Sequence, residues 1–294
     1  MMRLSGIYPA LLTPFAADTS LRLDLIDDYV EFLLNAGVHG VHPGGTTGEA
    51  PLMTSRERIE VVERVVDVVN GRRPVIAQVG HIRTAEATML ARECRAVGAD
   101  AVSIVTPYYY VLPEEALEAY FLAVIRALPD DTPIYLYNIP QSTLNVVGAP
   151  LLQRLRAAAP NVRGLKHSEA NVGRLGAYLE DEGTDVFVGS DGLVLAGLAM
   201  GAVGAVSGNA NVAPEAFVRL YDAWRTGRLD EARRQQRRIV HIASLLGNGG
   251  HLDAFKTALQ RRGVDVGTVR DPLPRVREAM HDAIDEAVAL ATTS

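Results

Sequence analysis

The strongest constraint on this chain is a rhythm. Short runs rich in Val, Ile, Leu and Ala alternate with longer segments of helical period, and the alternation can be counted eight times. Such runs, bounded by Gly and Pro, suit parallel strands, and the stretches between them suit crossover helices. Strands are expected at residues 6–15, 40–45, 74–80, 101–107, 133–140, 162–168, 185–190 and 204–207. Helices are expected over residues 24–35, 55–69, 84–97 and 113–127, and from Pro214 through Trp224. In the first of these, Leu25, Tyr29, Phe32 and Leu33 share one face. Eight strand–helix pairs predict the α/β class and a (β/α)8 TIM barrel, and 294 residues, 48% of them hydrophobic, suffice for one large core.

Beyond Thr226 the rhythm stops. Residues 229–246, 251–262 and 274–291 read as helices with no strand between them, separated by turns such as Gly247-Asn248-Gly249-Gly250. The expected organisation is a barrel over residues 1–226 carrying the reactive site and a C-terminal helical extension over 227–294 packed on it. The extension either caps the barrel or packs against another subunit. The net charge of -6 is spread through interleaved acids and bases, with no basic stripe. Nucleic acid and membrane surfaces are therefore not expected as partners. Cys94 is the only cysteine, which rules out an internal disulfide, and no metal site is expected. The amino terminus lacks the apolar core of a signal peptide, and no apolar run reaches membrane-spanning length, so a cytoplasmic protein is expected.

In a barrel of this kind the reactive face is made by the loops that follow the strands. Polar groups are concentrated there. Gly44-Gly45-Thr46-Thr47-Gly48-Glu49 follows the second strand and Thr106-Pro107-Tyr108-Tyr109-Tyr110 the fourth; Tyr137-Asn138-Ile139-Pro140 ends the fifth. Lys166 ends the apolar-flanked run Val162-Arg163-Gly164-Leu165, and Gly189-Ser190-Asp191-Gly192 follows the seventh strand. A lysine in that place is either a solvated strand end or an amine in an apolar pocket, and the second kind loses its charge readily. The glycines around Thr46 and Thr47 make either a plain tight turn or a nest of N–H groups for a small anion. A phosphate loop is disfavoured because no lysine follows the glycines at the required spacing. A neutral lysine facing an anion nest suits Schiff-base chemistry on a 2-oxo acid, with Tyr137 one strand away to move the proton. His167 alternates with Lys166 along the strand and is expected to point out of the lumen.

These motifs, in this order, resemble the dihydrodipicolinate synthase and N-acetylneuraminate lyase family, the pyruvate-dependent class I aldolases. The resemblance runs from Gly6 to about Trp224 and continues weakly at Phe255-Lys256-Thr257-Ala258-Leu259. It implies that Lys166 forms the Schiff base, that Tyr137 shuttles the proton with Thr46 and Tyr109 as relay partners, and that Thr47 and the Thr46 backbone bind the carboxylate. Gly45, Ser142, Gly189, Asp191, Val206 and Ser207 complete the expected substrate-binding set. It further implies no cofactor beyond the lysine iminium, small-molecule 2-oxo acid and aldehyde partners, and a homotetramer in which the Tyr108–Tyr109 segment reaches toward a neighbouring subunit. Two positions depart from the family. Ser142 stands where the synthases carry an arginine that grips the aldehyde's carboxylate, and Gly192 stands where the sialic acid lyase carries a glutamate. The expected activity is therefore cleavage of a 2-keto-3-deoxy sugar acid-like substrate to pyruvate and an aldehyde. The alternatives are 4-hydroxy-tetrahydrodipicolinate synthase, a 2-oxo acid dehydratase, or a non-catalytic 2-oxo acid binding protein.

Overall fold

The computed structural model describes residues 4–293. Seven parallel strands form one curled sheet: β1 (Gly6–Pro9), β2 (Ile76–Gln78), β3 (Ala101–Val105), β4 (Ile134–Asn138), β5 (Val162–His167), β6 (Asp185–Val188) and β7 (Gly204–Ser207). Their order is β1-β7-β6-β5-β4-β3-β2, so the first two strands lie at the edges. The strand expected at residues 40–45 is absent as a strand. That segment makes two isolated parallel bridges, Ala10 to His42 and Val41 to Val75. Its backbone nevertheless serves both edges: His42 N–H donates to Pro9 O and Val41 N–H to Pro74 O, while Leu11 and Gln78 donate to the carbonyls of His42 and Pro43. Pro43 has no N–H to extend the ladder, and Gly44 turns the chain away with φ +74°. The fold is TIM-barrel-like, with seven full strands and one bridging segment.

Helices cover the outside: α1 (Ile26–Asn35), α2 (Ser55–Val69), α3 (Thr84–Ala96), α4 (Glu114–Ile125), a single turn α5 (Pro140–Thr143), α6 (Ala149–Ala158), α7 (Val172–Leu179), α8 (Val194–Met200) and α9 (Pro214–Arg225). α2 begins where the sequence places it because Thr54 and Glu57 form a reciprocal capping box. Three helices follow: α10 (Leu229–Leu245), α11 (Leu252–Arg261) and α12 (His281–Thr292). The last begins seven residues later than the expected residue 274. The chain before it is held extended, with Asp253 Oδ2 accepting from Val276 N–H at 2.7 Å. No helix among the described residues is long and apolar enough to cross a membrane.

The sheet separates two cores. Its outward residues pack on the helices, while Leu4, Tyr8, Ala10, Ile76, Ala101, Tyr135, Phe187 and Val206 fill the lumen. Phe187 meets Tyr8 and Tyr135 edge-on, at 5.2 and 5.4 Å between ring centroids. This aromatic plug supports the layer above it, which contains the lysine.

Candidate active site

Strand alternation builds the centre of the site. On β4, Tyr135 and Tyr137 face the lumen; on β5, Gly164 and Lys166 do so, while Leu165 and His167 face the helices. Register pairs Tyr137 with Lys166 across the ladder, and the lysine Nζ lies 4.2 Å from the tyrosine ring centroid. Both are buried, Lys166 at 5% exposure and Tyr137 at 2%. Gly189 closes over them: its N–H donates to His167 O at 2.7 Å, and a Cβ there would come within 3.2 Å of Lys166 Cε and collide with the Ser168 hydroxyl.

The loop after the bridging segment is a compact turn. Gly48 and Ala50 N–H donate to Gly45 O, Glu49 N–H donates to Thr46 O, and the Thr13 hydroxyl holds Gly48 O at 2.7 Å. Among the described residues, the N–H groups of Thr46 and Thr47 have no acceptor within the protein, which leaves two donors for an anion.

Loop and strands meet in a cavity of about 320 Å³. Its walls include Thr46, Thr47, Tyr137, Ser142, Lys166, Gly189, Asp191 and Val206 from the expected set, joined by Gln141, Ser168, Gly208, Asn209, Phe255 and the turn 248–250. A second space of about 250 Å³ shares Gln141, Ser168, Gly189, Asp191 and Asn248 with it and runs out to Val240 and Ala243 on α10. Three expected residues do not line the cavity. Gly45 lies beneath the loop, where a Cβ would be 3.4 Å from the His42 ring. The Ser207 hydroxyl accepts from Ala210 N–H and lies beside Asp191. Tyr109 is 75% exposed with φ +80°, its ring against Tyr110 at 5.0 Å. Within one chain it does not reach Tyr137.

The profile of the Dihydrodipicolinate synthetase family matches residues 3–291. The chain belongs to this family. It is 41% identical over 271 residues to an uncharacterised DapA-like lyase of Halobacterium salinarum, covering 92% of this chain and 88% of the relative. It is 36% identical over 279 residues to the 4-hydroxy-tetrahydrodipicolinate synthase of Methanopyrus kandleri, covering 94% and 92%. The solved Ruminococcus gnavus sialic acid aldolase superposes with a TM-score of 0.92 at 28% identity, covering 98% of this chain and 97% of that one. As a member of the dihydrodipicolinate synthetase family the chain is a pyruvate-dependent class I aldolase or lyase, whose chemistry runs through a lysine–pyruvate Schiff base without an external cofactor.

Within this family frame the electrostatics of the cavity are distinctive. Lys166 is the only cationic side chain among the described residues lining either space. Burial raises the Asp191 carboxyl above the usual range, offset in part by hydrogen bonds from Ser207 and Asn209 and by the charge of Lys166. Asn209 Nδ2 donates to Asp191 Oδ2 at 2.6 Å. His42, fully buried with neither ring nitrogen hydrogen-bonded, sits edge-on to Tyr137 at 6.4 Å. Burial, and then the charge of Lys166, holds its pKa far below the ordinary histidine value. His167 points outward as expected: Nδ1 accepts from Asn138 Nδ2 at 3.4 Å, and the ring then donates from Nε2 to Asn171 O at 3.2 Å.

His42, Gln141, Ser168, Asn248 and Phe255 are site residues that the sequence reading passes over. Ser168 follows Lys166 by two residues and could have been placed by strand period; Asn248 and Phe255 arrive from the helical extension and carry no local signal. Among the described residues no cluster of three His, Cys, Asp or Glu side chains is arranged to hold a metal ion.

Proposed function

We propose that this aldolase cleaves a hydroxylated 2-oxo acid of the 2-keto-3-deoxy sugar acid type into pyruvate and a neutral aldehyde. In this reading the substrate carboxylate accepts from the Thr46 and Thr47 N–H groups and from the Thr47 hydroxyl. The Lys166 amine attacks the adjacent ketone, and loss of water leaves an iminium. Tyr137 gives its proton to the hydroxyl that leaves as water, and the phenolate so formed takes the proton of the C4 hydroxyl as the C3–C4 bond breaks; the aldehyde departs and the electron pair moves into an enamine. Return of a proton to C3 and hydrolysis of the iminium release pyruvate and the free amine.

The observation that carries this reading is the charge of the cavity wall. Beyond the lysine, the lining offers Gln141, Ser142, Ser168, Asn209, Asn248 and the acidic Asp191. An aldehyde bearing a carboxylate would be desolvated there beside Asp191 with no guanidinium to receive it, whereas sugar hydroxyls find donors and acceptors along the whole wall. The names of relatives such as the Methanopyrus kandleri protein favour a second reading, 4-hydroxy-tetrahydrodipicolinate synthase.

We also propose that the exposed Tyr109, Tyr110 and Val111 are covered by a second copy in a homotetramer, which would complete the relay of Tyr109 with Thr46 and Tyr137. The proposed division remains a barrel over residues 1–226 and an extension over 227–294, folding as one body because the extension supplies Phe255 to the cavity.

The test is to incubate the protein with pyruvate, reduce with borohydride and locate the adduct by mass spectrometry. An adduct on Lys166, absent in Lys166→Ala, is expected; no adduct on folded protein would refute the iminium. Pyruvate release from 2-keto-3-deoxy acids and sialic acid, set against pyruvate consumption with aspartate semialdehyde, then separates the two readings.

A further inference from the structure

The loop that presents the two free N–H groups is fastened from beneath by an ion pair that no part of the proposed chemistry uses. Glu49 closes the turn in the left-handed region, φ +59°, a conformation costly for a side chain of its size unless surrounding contacts hold it. Its carboxylate points down into the protein, where Oε1 lies 2.7 Å from Lys256 Nζ on α11, with both side chains fully buried. Oε2 accepts from Arg270 N–H at 2.8 Å. The lysine donates onward to Thr13 O and Thr268 O, each at 2.6 Å. Thr13 in turn holds Gly48 O through its hydroxyl. Phe255, the residue before Lys256, lines the cavity and crowds Gly208, where a Cβ would stand 3.1 Å from Thr47 Oγ1 and 3.2 Å from the Phe255 ring, so that both would have to give.

One turn of α11 therefore reaches the cavity that the anion loop lines, through Phe255, and the underside of the loop itself, through Lys256. A buried pair is weak evidence for stability, because desolvation consumes most of the Coulombic gain, so its placement asks for another reason. Here that reason is geometric. Glu49 follows Thr46 with only two residues between them, and the strained turn cannot relax while Lys256 and Arg270 hold it.

We infer that Glu49 and Lys256 are positioning residues for the substrate carboxylate, coupling the helical extension to the Thr46–Thr47 nest without touching substrate. The inference rests on the reading that this nest binds the carboxylate and that Lys166 forms the imine. It sets a requirement on saturation rather than on chemistry. Once pyruvate is bound, Lys166 and Tyr137 stand on β5 and β4, which the pair does not touch.

The experiment is the pyruvate dependence of borohydride trapping on the full chain. Glu49→Gln is expected to raise the half-saturating pyruvate concentration about tenfold or more while the trapping rate at saturation stays within about threefold of the parent. The double variant Glu49→Gln/Lys256→Met leaves no unpaired buried charge, so it should melt closer to the parent than Glu49→Gln does and yet bind pyruvate as weakly. Half-saturation within twofold of the parent in either folded variant would overturn the positioning role. If Glu49→Gln does not fold, the double variant decides; a double variant that also fails to fold would overturn positioning in favour of a purely structural pair. Absence of any adduct in the parent would instead refute the imine itself.

Discussion

Replacing Gly164 by alanine probes how the sheet sets the lysine. β5 and β6 pair Gly164 with Asp185, then Leu165 with Val186 and Lys166 with Phe187. A Cβ at 164 would lie 2.6 Å from the Asp185 carbonyl carbon and 2.7 Å from its nitrogen, and closer still to its carbonyl oxygen. These are backbone atoms of the neighbouring strand and have no rotamer to escape into. Since carbon contacts are comfortable only near 3.5–4.0 Å, the two strands must part by about 1 Å. Overpacking of this kind costs about 1–3 kcal/mol, and each ladder hydrogen bond opened adds about 1 kcal/mol. With two bonds opened the expected loss is roughly 3–5 kcal/mol, a drop of roughly 5–8 °C in apparent Tm for a chain of this size. Lys166 is two residues on and moves with the strand; a displacement of about 1 Å at a reacting group costs about 100-fold in rate. Differential scanning fluorimetry reads the first effect and the rate of borohydride trapping with pyruvate reads the second. A Gly164→Ala protein that melts within about 2 °C of the parent and traps at the parental rate would refute the claim that this contact sets the lysine's position.

Other outcomes follow from the same structure. Tyr137→Phe keeps the ring against Lys166 and removes only the hydroxyl, so steady-state turnover should fall by about 10²–10⁴; parental turnover would take Tyr137 out of proton transfer. Ser142→Arg places a guanidinium at the cavity wall, and a charge-assisted contact of about 1.5–3 kcal/mol should raise kcat/KM for aspartate semialdehyde roughly tenfold or more. No gain there would mean that position 142 does not face the aldehyde. Burial holds His39, His42, His81 and His167 below the ordinary histidine pKa. Above about pH 6.5 both folded and unfolded chains keep them neutral; below it the unfolded chain binds more protons, so stability is lost as pH falls through the folded values. Denaturant midpoints should decline from pH 8 to pH 5.5, and an increase would contradict the assignment. A further loss is expected below about pH 4.5, because Arg270 holds the Glu57 carboxyl at about 2.

The parts of this molecule that are legible in its sequence are those written in local period. β5 and its lysine stand out because an apolar run ends in a cation, and α2 because Thr54 and Glu57 cap it. Strand period alone also separates Lys166 from His167. The segment 40–45 misleads because its apolar and glycine content suits a strand, while Pro43 and Gly44 allow only two bridges. The residues of the helical extension are illegible for a different reason. Phe255 and Lys256 look like any amphipathic helix, and only the chain's return over the barrel mouth gives one to the cavity and the other to Glu49. Tyr109 is legible by motif and yet stands in solvent, because nothing among the described residues of its own chain covers it.

The stack of Tyr8, Phe187 and Tyr135 fills the lumen beside Lys166, and the cavity left to a substrate extends toward Asp191 and Asn248. On the proposed reading, the fragment joined to Lys166 stays until its iminium is hydrolysed. The aldehyde would then leave first and the three-carbon piece last, and in the reverse direction the order would be inverted.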